Sequence, residues 1–178
     1  DQIYEGNGGY PIKRKPEDLS IINYLGKYYM FGWAFGDLMR NVPTICTPDD
    51  HDVFQGNLWG EGGIAKPGGL ASDDSGGFTQ DVCSSDLVNR TNCGQLPDPY
   101  DPTPVEQGMS VWYSDLTYGR VSFAIISDRI FKTGPEKVAD WDGRKDHMKV
   151  PRNDLSFLDK KGVEMIGKRQ TDFLNQWI

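Results

Sequence analysis

The first long pattern along the chain runs from Pro16 to about Arg40. Apolar residues recur at Leu19, Ile22, Leu25, Tyr29, Trp33 and Leu38, close to the period of an amphipathic helix. Pro16 suits a first helical turn, and Glu17 and Asp18 suit the positive end of the helix dipole. Gly26, Gly32 and Gly36 each weaken this helix by ~1 kcal/mol relative to alanine unless they allow close packing. Next comes a short apolar run, Val42 to Cys46, which reads as a buried strand under the helix. Pro48 ends it, having no amide hydrogen to give. From Gly60 to Gly77 the chain is rich in Gly, Ser and Asp without a period, so residues 60–95 are expected to form a long loop insertion. Met109–Leu116 reads as a strand and Val121–Ile126 as a buried strand, the two forming a hairpin that turns at Gly119-Arg120. Ser156 to Ile178 reads as a closing helix, with Val163, Ile166, Gln170, Phe173, Leu174 and Trp177 tracing one face. Helices and strands in this order give an α/β class in a single domain over 1–178.

The strand at Val42–Cys46 runs straight into Asp49-Asp50-His51-Asp52. Acids at the carboxyl end of a strand lie where open α/β sheets bind ligands. Three carboxylates this close repel one another unless something positive sits among them. Carboxylate oxygens favour hard cations such as calcium, magnesium and manganese, and imidazole also suits zinc and iron. The plainer reading is a solvated acidic turn. A second motif, Asp1-Gln2-Ile3-Tyr4-Glu5, weighs against it. Asp73-Asp74-Ser75 lacks the ligand spacing of a calcium loop. His147, among Lys145, Asp146 and Lys149, reads as surface.

Composition narrows the partners. Net charge is −7 and the basic residues are scattered, which disfavours nucleic acid. No run approaches the ~20 apolar residues of a membrane span. Of the cysteines, Cys46 reads as core, while Cys83 and Cys93 could pair in an oxidising compartment. Asn89-Arg90-Thr91 forms a glycosylation sequon, a triplet common by chance. Asp81-Val82-Cys83-Ser84-Ser85-Asp86-Leu87 coincides with the translation of a common sequencing-adaptor tail, so no function is drawn from Cys83.

Thr47-Pro48-Asp49-Asp50-His51-Asp52 resembles the Asp-Asp-His-Asp/Glu signature of the alkaline phosphatase D (PhoD-like) family of calcineurin-like metallophosphoesterases. Asp1-Gln2-Ile3-Tyr4-Glu5 is similar to that family's Gly-Asp-x-x-Tyr-Glu motif without its glycine. Leu96–Pro104 and Phe123–Lys132 resemble further segments, so the likeness covers most of the chain. It implies an αββα sandwich with mixed sheets, of which this chain is an incomplete, internal piece. It also implies hydrolysis of small phosphate esters, mono- or diesters, at a site of two or more metal ions: Fe3+ and Ca2+, or other divalent ions. By the same resemblance Asp1 bridges the metals, and Tyr4, Asp50 and Asn57 are ligands, Asp50 standing where many relatives carry asparagine. The spacing to Asn57 departs slightly from the family's. His51 is the general acid, and Asp49 and Asp52 orient His51 and Asp50 from behind.

Arg129 has two readings, a structural ion pair or a guanidinium placed for phosphate. An upstream cysteine or Asp-x-His ligand and a later Gly-Asp-x-His segment are not in this sequence, so these residues alone are expected to be inactive. An extracytoplasmic location is implied by the family alone. The alternative is a cation-binding or structural relative without turnover. A sugar hydrolase using Asp50 and Asp52 ranks last, since acids two apart in one loop are poorly placed to flank a glycosidic bond.

Overall fold

A computed structural model describes residues 1–4, 12–66, 76–137, 156 and 160–178. His147 and the Asp73-Asp74-Ser75 stretch lie outside the described residues. The chain combines helices with a small antiparallel sheet. Helix α1 spans Glu17–Asn41, α2 Val82–Cys93, α3 Asp128–Phe131 and α4 Lys168–Trp177. Strands β1, Ser114–Tyr118, and β2, Val121–Ile125, pair in register from Ser114 opposite Ile125 to Tyr118 opposite Val121. Strand β1 starts five residues later than expected, and β2 is not the buried strand expected, since Val121 and Phe123 are 54% and 44% exposed. Gly119 and Arg120, both at positive φ (58° and 68°), make the two-residue turn, the geometry that matches strand twist in tight hairpins. Among the described residues no helix is long and apolar enough to cross a membrane.

Helix α1 forms where its pattern predicts, but it buries a different face. Ser20, Asn23, Tyr24 and Lys27 point inward, while Ile22, Tyr29, Trp33 and Leu38 are 59–82% exposed. Hydrogen bonds hold the inward face. Ser20 donates to Gln80 Oε1 (3.3 Å) and Asn23 Oδ1 accepts from Lys13 N (2.9 Å). The Tyr24 hydroxyl meets Thr91 Oγ1 (2.6 Å) and accepts from Asn92 Nδ2 (3.0 Å), while Tyr28 donates to Thr91 O (2.6 Å). Burial raises the Tyr24 phenol above its ordinary pKa. Gly32 and Gly36 have nothing near them that a Cβ would touch, so they serve no close packing among the described residues.

The expected buried strand at Val42–Cys46 is not one. The segment is irregular, Val42 and Ile45 are 47% and 42% exposed, and only Cys46 is buried. A strand needs a hydrogen-bonded neighbour, and no described strand lies beside it. It borders instead an open groove of about 400 Å³ shared with Leu96, Pro97, Leu116, Tyr118 and Phe123.

Residues 60–95 are not one long loop, because α2 occupies their last third. Its buried residues include Ser84, Ser85, Asn89 and Asn92 beside Val88 and Cys93, so no hydrophobic period betrays it. Cys83 and Cys93 lie ten residues apart on this helix, ~15 Å at 1.5 Å per residue. That exceeds the reach of a disulfide and removes the pairing the sequence allowed. Asn89 is buried with its amide donating to Ser110 O (3.2 Å), which does not suit a glycosylation acceptor. The closing helix starts only at Lys168, behind Gly167 at positive φ. Gln170 and Phe173 are buried as its face predicts.

The main core gathers Ile3, Tyr24, Val53, Phe54, Leu58, Phe78, Val88, Met109, Trp112, Ile125 and Ile130. A second cluster joins Val111, Tyr113 and Phe173. Ile3 brings the start of the chain into the first core, next to the turn carrying His51.

Candidate metal centre

The acidic motif folds as a single 3-10 turn, His51–Val53, capped by Asp50. Asp50 Oδ1 accepts from His51 N (2.9 Å), the cap expected of an aspartate at a helix start. Its Oδ2 accepts from Asn57 N (2.8 Å). Asn57 has φ 59°, which turns that amide back onto the carboxylate. Phe54, at φ 56°, ends the turn and is buried with Val53. The apolar Val53-Phe54 pair thus pins the turn to the core and leaves Asp50 and His51 at its rim.

Asp52 joins the two motifs, and sequence reasoning missed how. It is fully buried. Oδ1 accepts from Ile3 N (2.8 Å) and Oδ2 from Asp49 N (2.9 Å). Burial raises the Asp52 carboxyl above its ordinary pKa, opposed by these amides. The carboxylate clamps residues 1–3 against the turn, and Ile3 in the core reinforces it. The signal was present in part: Ile3 is the one aliphatic residue between Asp1 and Tyr4.

As a result Asp1, Asp50 and His51 come together from opposite ends of a fifty-residue stretch. One ligand atom from each lies within 4.8 Å of the others. Asp1 is exposed, His51 half-buried and Asp50 buried. Two carboxylates at this spacing fit a hard cation, and the His51 imidazole lies within reach of the same point. Tyr4, 48% exposed, lays its ring on His51 with centroids 4.0 Å apart. Asn57 reaches Asp50 through its backbone amide.

Asp49 and Arg129 form the other side. Arg129 Nε lies 2.5 Å from Asp49 Oδ1 and Nη1 3.7 Å from Asp50 Oδ2. Asp49 therefore turns its carboxylate to the arginine, while Asp52 gives its own to backbone amides. Backbone contacts fix Arg129 in place. Gly60 N donates to Arg129 O (2.8 Å), Gly62 N to Ile130 O (2.8 Å) and Glu61 N to Lys132 O (3.1 Å). Ile130 is buried, and Lys132 Nζ stands over the Trp59 ring at 5.3 Å. Gln55, also buried, closes the base of the following loop by bonding Gly77 O and Thr79 N, each at 2.8 Å. Nothing in the sequence marked Gln55 for this work.

No family model, curated protein or solved structure matches the chain.

Proposed function

We propose that the chain carries part of the active site of a metal-dependent phosphoester hydrolase, its fold a portion of a metallophosphoesterase sandwich. The observation that carries this reading is the convergence of Asp1, Asp50 and His51 on one point. The resemblance of both contributing motifs to the PhoD-like family supports it. The Asp1 and Asp50 carboxylates would hold the cations, with Tyr4 beside them; the family pattern names Fe3+ and Ca2+. Metal ions bound there would supply Lewis-acid chemistry toward a phosphoryl group. The chain's own residues do the rest. Asp52 keeps Asp1 in register with Asp50. Asp50, held by two backbone amides, presents a fixed carboxylate. His51 donates a proton to the leaving oxygen, work typically worth ~10²–10⁴-fold in rate.

A second reading, a cation-binding relative without turnover, is favoured by one observation. Both Asp50 oxygens already accept backbone amides, as in a purely structural cap. His51→Ala in the full-length protein separates the two readings. Catalysis requires turnover of an aryl phosphate or aryl diester to fall ~10²-fold or more, with bound metal, measured by elemental analysis, nearly unchanged. A full-length protein that binds metal without hydrolysing either ester supports the second reading and refutes the first.

A further inference from the structure

Arg129 sits beside the proposed ligands in a way the hydrolase reading does not require. Its guanidinium contacts two carboxylates at once, Asp49 at 2.5 Å and the candidate ligand Asp50 at 3.7 Å. It is mostly buried, with 23% of its side chain exposed. Its carbonyl accepts from Gly60 N and that of the next residue, Ile130, from Gly62 N, so the charge is delivered by a fixed element. A guanidinium stays protonated at any physiological pH and cannot ligate a metal.

We infer that Arg129 is an internal counter-cation, which neutralises the Asp49–Asp50 pair in the absence of metal and competes with metal ions for Asp50. The inference rests on the metal reading above and adds a regulation to it. Asp50 serves two positive partners. Whatever charge the guanidinium neutralises is charge that a divalent ion cannot use in full. A purely structural ion pair makes the opposite demand, because loss of the arginine then disorders Asp50 and weakens metal binding.

The sign of the effect is therefore the test. The full-length protein is stripped with chelator and titrated with Mn2+ by calorimetry, as wild type, Arg129→Met and Arg129→Lys. Coulomb attraction between charges ~4 Å apart at a partly exposed site sets the scale, and its low end is on the order of tenfold in affinity. Arg129→Met is expected to bind Mn2+ about tenfold more tightly. Arg129→Lys, which keeps the charge, stays within about threefold of wild type. Mn2+ also raises the melting temperature of Arg129→Met more than that of wild type. If Arg129→Met does not fold, Arg129→Gln replaces it, with the same expected gain. Wild type that binds Mn2+ while the neutral variant binds equally or less tightly overturns the inference alone. Where wild type takes up Ca2+ instead of Mn2+ the same comparison is made with Ca2+, and wild type that binds none of Mn2+, Ca2+ and Fe3+ overturns the metal reading and the inference with it.

Discussion

The same substitution, glycine to alanine, should have opposite effects at two places in this chain. At Gly60 an added Cβ would lie 2.5 Å from Ile130 O and 2.6 Å from Arg129 O. Both are backbone atoms, so no side chain can swing away, and the loop must separate from α3. That movement strains or breaks the hydrogen bonds from Gly60 N to Arg129 O and from Gly62 N to Ile130 O. Overpacking of this kind costs ~1–3 kcal/mol, and each net hydrogen bond lost adds about 1. Gly60→Ala should therefore destabilise by ~2–5 kcal/mol, a large part of the 5–15 typical of a folded domain. At Gly32, inside α1, a Cβ meets nothing within 4 Å. There alanine should stabilise by up to ~1 kcal/mol, through helix propensity alone. Urea unfolding followed by tryptophan fluorescence measures both. Midpoints shifting in the same direction, or Gly60→Ala within ~0.5 kcal/mol of wild type, would refute the close approach of the Gly60 loop to Arg129.

Asp52→Asn leaves one of the amides of Ile3 and Asp49 facing an NH2 group, and should cost ~1–3 kcal/mol. Because burial raises the Asp52 carboxyl, its contribution is full below its ordinary value of 3.8 and is lost as pH rises through the folded value. The stability gap between wild type and Asp52→Asn should therefore be wider at about pH 3 than at about pH 7, and chemical denaturation at the two pH values checks it. Thiol alkylation with peptide mass spectrometry should label exposed Cys83 first. Cys93, buried and with its thiol pushed up to about 12 by that burial, should react only on unfolding. Equal rates for the two would contradict the placement of α2. If Tyr4 ligates ferric iron, the loaded full-length protein should absorb in the visible and Tyr4→Phe should lose the band. A colourless, iron-free and active wild type removes iron but leaves other metals in play.

What could be read from the sequence was local. Pro16-Glu17-Asp18 started α1 where the chain starts it, and Gly119-Arg120 turned the hairpin, because a first helical turn and a tight turn depend on a few adjacent residues. The cap that Asp50 provides at His51 is of the same kind. The coming together of Asp1, Asp50 and His51 was reachable only by matching two motifs to one family pattern. Its physical cause, Asp52 bonding Ile3 N, is a long-range contact through one buried carboxylate, and no periodicity reports it. Which face of a helix is covered is equally non-local. The apolar stripe of α1 is real, yet the described partners of that helix include polar groups of α2, Gln80 and the Lys13 backbone beside the Phe54 ring, so Ser20, Asn23 and Tyr24 turn inward.

The exposed stripe, the unpaired Val42–Cys46 segment and the groove beside Phe123 have one feature in common. Each is an apolar surface that the sequence pattern assigned to a sheet, and among the described residues the only sheet is the hairpin β1–β2. The acidic turn differs, because its anchors are close at hand. Val53 and Phe54 are packed in the core, Asp50 caps its own turn, and Asp52 bonds backbone within reach. The candidate metal centre therefore keeps its geometry on contacts that do not involve the uncovered apolar faces. For this reason substitutions at Asp52 and Gly60 should act on the site, while alanine at Gly32 should leave it unchanged.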